Sequence, residues 1–438
     1  MPARRALRAS IFHMTRRPTG PGDKDAYEYL SDGVLILDGA HIERVVPYAE
    51  LTAEERRALI FEDLSGCLLT PGFIDAHVHF PQIGMIGAYG AQLMEWLERY
   101  TFPAEQAFAD PAFAREAAAF FLKELLRNGT TSAMVFATVH EVSADALFED
   151  ALKRGMRLIA GKVLMDRGGP EGLLDGPDLG REATERLIGR WRGKGRLGYA
   201  LTPRFALSCS DAQLDMTGEL LSRYPDVYLQ THVSENTGEI AAVAELFPDD
   251  VDYLAVYERH GLVGARSVLA HGVHLDDGAF KRLSASRATI AHCPSSNFFL
   301  GSGLFPLAEA DALGVSLALG SDVGAGTSLS AFRTMAETYQ TAQLRGRALD
   351  PLRAYYLATL GGAEALGLGA HIGNFEPGKE ADFIALDLAA TPLLKRRMDT
   401  AHEIEDILFS LAILGDDRAV ARTYVAGALA HNRDAPQA

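Results

Sequence analysis

Two histidines spaced two residues apart provide the first candidate chemistry in this chain. His77 and His79 stand at the end of an apolar run that begins at Phe73. In a β-strand, residues i and i+2 point to the same face, so both imidazoles would be directed at one point. Neutral imidazoles that converge are typical ligands of zinc or iron. A chance pair at a strand end is the alternative, and similar residues later in the chain argue against it.

Residues of the same kind follow several later apolar runs, and they are His232, His271, His292 and Asp322. Three imidazoles and one carboxylate then form a predicted ligand set, which consists of His77, His79, His232 and Asp322. Such a set leaves one coordination position for water, as a catalytic zinc site requires. A metal bound there would lower the pKa of that water toward neutrality and make hydroxide available.

Three side chains, one within this ligand set and two near it, have the chemistry for proton transfer. Asp322 can receive a proton from the water, and Glu235, three residues after His232, can carry a proton to the substrate or leaving group. His271 can donate to an oxyanion or orient the water. The alternatives are a helix N-cap for Asp322, a solvated carboxylate for Glu235 and a core residue for His271. The role of His292 stays open between the site and the fold.

The elements that must position these residues alternate between about residue 71 and residue 370. Stretches with a helical pattern separate eight short apolar runs, which are Phe73–Val78, Ser132–Phe136, Leu158–Met165, Gly198–Leu201, Val227–Thr231, Val268–Ala270, Thr289–Ala291 and Ser316–Leu319. Eight strand–helix units in series predict an α/β fold, a (β/α)8 TIM-type barrel. Such barrels carry their catalytic groups where strands end and βα loops begin, which is where the candidate residues stand.

The two ends of the chain have a different pattern from the middle. Short strand-like pieces fill residues 1–70, and further strand candidates lie within residues 371–438. We therefore expect three parts: the first half of a β-sandwich in residues 1–70, a metal-dependent hydrolase barrel in residues 71–370, and the second half of the sandwich in residues 371–438.

Composition narrows the class of protein. The 438 residues carry a formal net charge of −16, which argues against nucleic-acid or anionic-membrane binding. Three widely spaced cysteines, Cys67, Cys209 and Cys293, indicate a reducing compartment without a disulfide framework. The N-terminal arginines are not followed by an apolar core of signal-peptide length. These features predict a cytoplasmic enzyme that acts on a small molecule.

Four motifs together resemble the amidohydrolase superfamily, and they are Pro71–His79, Thr231–Glu235, His271–Gly272 and Gly320–Asp322. The resemblance covers nearly the whole chain and includes the terminal segment Gly378–Asp382. Within the superfamily, the chain is similar to the guanine deaminase family in four narrower stretches, which are His79–Gln82, Gln92–Pro103, Thr202–Phe205 and His292–Asn297.

This resemblance implies hydrolytic deamination of guanine to xanthine and ammonia, in purine catabolism or salvage, by a homodimer. It implies one zinc per chain on the ligand set, with Glu235 as proton shuttle and His271 as catalytic helper. The modified lysine that bridges two metals in related barrels has no counterpart in Tyr199–Phe205. Lys162 is the nearby competitor for such a role, so a single metal is favoured. Iron stays an alternative to zinc, because both accept imidazole and carboxylate.

The resemblance also implies a set of substrate-binding residues, which are Gln82, Arg204, Phe205, His232, Glu235 and Asp322. A guanidinium can donate to the O6 atom of guanine, and the amide of Gln82 can donate and accept. Phe205 can offer an aromatic edge or face to the ring. Hydroxide would attack C2 and Glu235 would protonate N3. The stretch from Gly84 to Pro103 is either a loop that covers the ring or a packed helix.

Two other functions remain open at this point. One is hydrolysis of a different ring in the same superfamily: 8-oxoguanine, an adenosine-like nucleoside or a chlorinated triazine. Gln82, Arg204 and Phe205 are the residues that distinguish it from guanine deamination. The other is a metal-free scaffold relative, which the complete ligand set disfavours.

Overall fold

A computed structural model describes residues 4–90 and 92–435, which form sixteen β-strands and seventeen α-helices. The strands are β1 (Arg5–Met14), β2 (Tyr27–Asp38), β3 (His41–Pro47), β4 (Ile60–Pro71), β5 (Phe73–His79), β6 (Thr130–Phe136), β7 (Arg157–Gly161), β8 (Val163–Leu164), β9 (Leu197–Pro203), β10 (Tyr228–Val233), β11 (Ser267–His271), β12 (Thr289–His292), β13 (Ser316–Leu319), β14 (Phe383–Asp387), β15 (Val420–Val425) and β16 (Ala428–Asn432). The helices are α1 (Ala53–Ala58), α2 (Leu93–Trp96), α3 (Phe102–Gln106), α4 (Pro111–Arg127), α5 (Glu141–Arg154), α6 (Pro177–Trp191), α7 (Asp211–Arg223), α8 (Thr237–Leu246), α9 (Tyr253–Arg259), α10 (Asp277–Ser286), α11 (Pro294–Phe299), α12 (Leu307–Ala312), α13 (Ala331–Leu344), α14 (Pro351–Ala358), α15 (Leu360–Ala365), α16 (Pro392–Met398) and α17 (Ile404–Leu414).

The centre of the molecule is a parallel barrel. Its neighbouring strands run in the order β5, β6, β7, β9, β10, β11, β12, β13, and the two-residue β8 pairs beside β9. The first and last strands meet through the backbone of the segment after β13: Asp322 N donates to His77 O at 2.9 Å, and His79 N donates to Val323 O at 2.8 Å. The predicted (β/α)8 barrel is confirmed, and each predicted apolar run overlaps a strand.

The sequence of the barrel strands explains their burial. All seven residues of β5 and all seven of β6 are buried, because helices cover one face and the barrel interior covers the other. Small side chains such as Ala200 and branched ones such as Ile159 and Val268 belong to one buried cluster within the barrel. The polar side chains at the strand ends therefore pack against the apolar interior of the barrel.

The N- and C-terminal strands share one seven-stranded mixed sheet, in the order β16-β15-β14-β4-β1-β2-β3. The two ends of the chain meet where β14 pairs antiparallel with β4. Only Gly72 separates β4 from the first barrel strand, and a Cβ there would lie 2.2 Å from Thr131 Oγ1, so glycine is required for the close approach. The pairing of the two ends is confirmed, while the boundaries at residues 70 and 371 stay predictions.

A half-buried ion cluster connects this sheet to the barrel end where the strands begin. Arg157 starts β7 and Arg196 precedes β9, and the Nε atoms of both donate to Glu380 Oε2, at 2.9 and 2.8 Å. Arg196 Nη1 also donates to Asp382 Oδ1 at 3.0 Å.

Among the described residues, no helix has the length and apolar character needed to cross a membrane.

Candidate active site

The predicted ligand set converges at the barrel end where the strands finish. His77 and His79 close β5, His232 lies on β10, and Asp322 follows β13. All four side chains are buried, and each offers a ligand atom within 4.8 Å of the others. The Nε2 atom of His79 lies 3.2 Å from the Nε2 atoms of both His77 and His232. Asp322 Oδ1 lies 3.1 Å from His77 Nε2 and 3.3 Å from His79 Nε2.

These distances fit a bound cation. Zinc–nitrogen distances of about 2.0–2.1 Å place neighbouring ligand atoms roughly 2.9–3.5 Å apart, and the spacing found here lies in that range. The Nδ1 atom of His232 lies 2.6 Å from the carbonyl oxygen of Arg204 and donates its proton there, so its Nε2 presents a lone pair. Burial lowers the pKa of His79 to about 4 and that of His232 well below its ordinary value, so both rings are neutral. Unprotonated nitrogens this close to one another repel unless a cation lies between them.

Asp75 connects β5, which carries two of these ligands, to the segment after β13, which carries a third. Its Oδ1 accepts from the backbone N–H groups of His77, at 3.2 Å, and Ser321, at 3.0 Å. The carboxylate thus spans the junction between β5 and the segment after β13. It fixes the backbone beside His77 and beside Asp322 at once.

Glu235 and His271 lie beside the ligand set, as predicted. His271 Nε2 lies 3.4 Å from Glu235 Oε2 and 3.7 Å from Asp322 Oδ2. The Nδ1 atom of His271 donates to Asn297 Oδ1 at 3.0 Å, and Ser302 Oγ donates to Glu235 Oε1 at 3.1 Å. Burial, reinforced by the charge of Asp322, raises the pKa of Glu235 to about 8. Glu235 is therefore suited to hold a proton near neutral pH.

Backbone strain is concentrated in the same loops. Ser234, His271 and Asp322 have φ values of 47°, 73° and 50°, in the left-handed region that non-glycine residues seldom occupy. Backbone hydrogen bonds hold two of these loops together: Gly272 N donates to Val233 O at 2.9 Å, and His274 N donates to Ser234 O at 3.2 Å. Strained residues of this kind persist where the surrounding structure fixes functional side chains.

The ligand set and the residues expected to bind the ring of the substrate line one cavity. Gln82, Arg204 and Phe205 face it together with His79, His232, Glu235, His271 and Asp322. The space between these side chains, together with the open solvent at its mouth, measures ≈ 400 Å³. Arg204 is 3% exposed and donates from Nη1 to both carboxylate oxygens of Glu105, at 2.9 and 2.7 Å.

The segment from Gly84 to Pro103 both covers the cavity and forms helical structure. Leu93, Trp96 and Leu97 line the cavity, from α2 and the π-helical turn Leu97–Thr101 that follows it. Trp96 Nε1 donates to Ala88 O at 3.2 Å, which holds the indole against its own segment. The two alternatives for this stretch are therefore combined in one structure.

Two residues with open or competing roles lie outside the ligand set. His292 is fully buried and stacks on Phe305 with ring centroids 5.0 Å apart, and burial lowers its pKa to about 3. The ammonium of Lys162 pairs with Asp175 and donates to Val163 O at 3.0 Å. Neither residue belongs to a metal-ligating group among the described residues.

Four supporting residues were not predicted as part of the site, and they are Asp75, Glu105, Asn297 and Ser302. Asp75 lies within the first motif, and Asn297 ends the His292–Asn297 stretch, so sequence signals existed for both. Glu105 and Ser302 follow no predicted strand end. Their contacts depend on how two loops fold over the barrel.

Comparison with known proteins gives one result throughout. The amidohydrolase family model matches residues 68–430. A guanine deaminase of Escherichia coli (strain K12) is 46% identical over 431 residues, 98% of each chain, and an E. coli guanine deaminase structure superposes with a TM-score of 0.95 over 98% of this chain and 100% of that one.

Two further solved structures share the fold at lower identity. A guanine deaminase from C. acetobutylicum with bound guanine in the active site has a TM-score of 0.88 at 29% identity and covers 97% of this chain and 99% of its own. A Xanthomonas campestris adenosine deaminase with bound zinc has a TM-score of 0.83 at 25% identity, over 97% of this chain and 92% of that one. The chain belongs to the amidohydrolase family and, within it, to the guanine deaminases.

Proposed function

We propose that this chain hydrolyses guanine to xanthine and ammonia. The observation that carries the proposal is one covered cavity with two chemical sides. The ligand set, Glu235 and His271 form one side, and Gln82, Arg204 and Phe205 form the other. The relatives named guanine deaminase, at up to 46% identity, support the same substrate.

The recognition side matches the hydrogen-bonding groups of guanine. The Nη1 atom of Arg204 is bonded to Glu105, which leaves the other N–H groups of the guanidinium to donate to O6. The amide of Gln82 faces the same cavity and can bond the N1 side of the ring. Adenine lacks the O6 acceptor, so it would leave a buried guanidinium without its partner, and the site should reject it.

The other side supplies the reaction. A zinc ion held by the ligand set would provide water of lowered pKa close to neutral pH, and the zinc-bound neighbour supports that metal over iron. Asp322 takes the proton of the attacking water. Glu235 delivers its proton to N3 as the C2–O bond forms. Asp322 then passes the water proton to the C2 amino group, which leaves as ammonia when the C2–N bond breaks. The proton of the new C2 hydroxyl returns to Glu235 as the carbonyl of xanthine forms. His271, held by Asn297, stabilises the charge that develops beside Glu235.

The test is ammonia release from a panel of purines, pyrimidines and triazines, with elemental analysis of the same preparation. We expect guanine to be the best substrate and about one equivalent of metal, predominantly zinc, per chain. Adenosine or triazine turnover well above that of guanine would overturn the assignment. Two tightly bound equivalents per chain would overturn the single-metal interpretation.

We further propose that the active form is a cytoplasmic homodimer in which residues 1–70 and 371–438 form one unit beside the barrel. The pairing of β4 with β14 supports that unit. Light scattering coupled to size exclusion tests the assembly, and a mass of about 47.3 kDa, that of a single chain, would contradict the dimer.

A further inference from the structure

A buried carboxylate between the two substrate-recognition residues has no role in the reaction described above. Glu105 lies on α3, two residues after the segment that lines the cavity, and its side chain is 0% exposed. It accepts from Arg204 Nη1 with both oxygens, and its Oε1 also accepts from Gln82 Nε2 at 3.1 Å. One side chain therefore contacts both groups that face the ring.

The first consequence concerns orientation. Gln82 donates to Glu105 through Nε2 and accepts from Gly324 N through Oε1, at 3.2 Å. A reversed amide would place its oxygen against the carboxylate and its NH2 against an N–H donor. The two contacts therefore fix the orientation of the Gln82 amide, with its NH2 group toward Glu105 and its oxygen toward Gly324. The bonds to both carboxylate oxygens limit rotation of Arg204 in the same way.

The second consequence concerns charge. Arg204 is 3% exposed, and an unpaired buried guanidinium in a substrate cavity would attract anionic rings. The carboxylate of Glu105 cancels that charge within hydrogen-bonding distance. The recognition side then presents fixed donors and acceptors with no net charge, which suits a neutral ring.

We propose that Glu105 is a positioning residue that determines specificity: it aligns Gln82 and Arg204 for a neutral oxopurine and excludes anionic oxopurines by cancelling the charge of Arg204. This inference rests on the proposed function, because it concerns the same cavity and substrate class. Urate, a monoanion at neutral pH, is the probe for the excluded class.

The first test replaces Glu105 by glutamine in the metal-loaded enzyme. Glu105→Gln keeps the size of the side chain, removes its charge and loses acceptor capacity. We expect the KM for guanine to rise about tenfold with kcat within about threefold of wild type, because alignment is lost while the reacting groups stay. We expect the inhibition constant of urate to fall about tenfold, because the guanidinium becomes uncompensated. Metal content should not change.

Two further variants separate the parts of the proposal. Glu105→Asp keeps the charge and shortens the reach, so the KM for guanine should rise while urate inhibition stays as in wild type. Glu98→Gln changes an exposed glutamate seven residues earlier in the chain and should leave both constants unchanged. If Glu105→Gln does not fold, the KM of Glu105→Asp for guanine still tests the alignment. Urate titration of the wild type then still tests the exclusion of anionic rings.

The outcomes are distinct from those of the proposed function. Wild-type enzyme that does not release ammonia from guanine refutes the function, whatever the variants show. Wild-type enzyme that does so, with Glu105→Gln or Glu105→Asp showing unchanged constants for guanine, refutes the role of Glu105 alone. An equal loss of kcat and metal in Glu105→Gln would also refute it, since that pattern marks a general collapse of the site.

Discussion

The two ends of the barrel contain buried charge in opposite arrangements. Where the strands begin, two arginines meet two carboxylates, and Arg196 and Glu380 are 14% and 16% exposed. Where the strands end, three imidazoles and Asp322 direct lone pairs at one another. The first arrangement is complete by itself, because every cation has an anion. The second is complete only with a cation. Buried polar side chains therefore indicate a binding site when the chain itself offers them no complementary partners.

Replacing a ligand should have the largest effect on the strand-end cluster. In His232→Ala the metal should be lost from the purified protein and turnover should fall below detection. Outer hydrogen-bond partners of ligands are worth about 10–100-fold in metal affinity, and a ligand itself is worth more. Metal analysis after dialysis checks this. Retention of a full equivalent of metal would show that the four groups do not act together.

Replacing the proton carrier should separate metal binding from turnover. We expect Glu235→Gln to keep its metal and to lose about 10²–10⁴-fold in kcat, the range of general acid–base catalysis. Ammonia release and elemental analysis of one preparation measure both quantities. A variant with near wild-type kcat would remove Glu235 from the reaction.

Breaking the strand-start cluster should affect stability and leave the chemistry intact. Arg196→Met removes a partner of Asp382, whose side chain is 2% exposed, and we expect a loss of about 3–5 kcal/mol in the free energy of unfolding. The kcat of the folded protein should be unchanged. Arg190→Met is the matched control, because Arg190 is 46% exposed in its pair with Asp145 and should cost about 0–1 kcal/mol. Equal losses in the two variants on urea unfolding would contradict the comparison.

The smallest expected effect is a dependence of that stability on pH. Burial alone would raise the pKa of Glu380, but its hydrogen bond to Arg157 and the charge of Arg196 outweigh burial and lower it. A lowered folded pKa contributes stability that is present above the ordinary glutamate value, about 4.3, and is lost as pH falls through the folded pKa. The difference in unfolding free energy between wild type and Glu380→Gln should therefore shrink below about pH 4. A difference that is constant with pH would contradict the ion-pair origin.

The sequence was informative where chemistry coincides with a regular element. His77, His79, His232 and His271 end or nearly end parallel strands, and parallel strands bring their ends to one face of a barrel. Strand periodicity was therefore enough to predict that they meet. The pairing of the chain ends followed in the same way from their shared strand pattern, although hydrogen bonding joins them in a single continuous sheet.

The rest depended on contacts that no local pattern encodes. Glu105 and Arg204 are 99 residues apart, and Arg196 and Glu380 are 184 residues apart. A glutamate that becomes buried in an ion pair, such as Glu105, has the same local sequence character as an exposed one, such as Glu98 seven residues earlier. Only the folded structure distinguishes the two.

The junction of β5 with the segment after β13 has a consequence for how the protein matures. Two ligands come from the strand that starts the barrel, and a third comes from the segment after the strand that ends it, about 240 residues later in the chain; the Asp322 N–His77 O bond joins the two at 2.9 Å. A nascent chain cannot assemble the full coordination sphere until its last strand has been synthesised and has docked against the first. Uptake of an ion by all four ligands would therefore be a late event that follows closure of the barrel, and the ion would then stabilise the junction between its first and last strands.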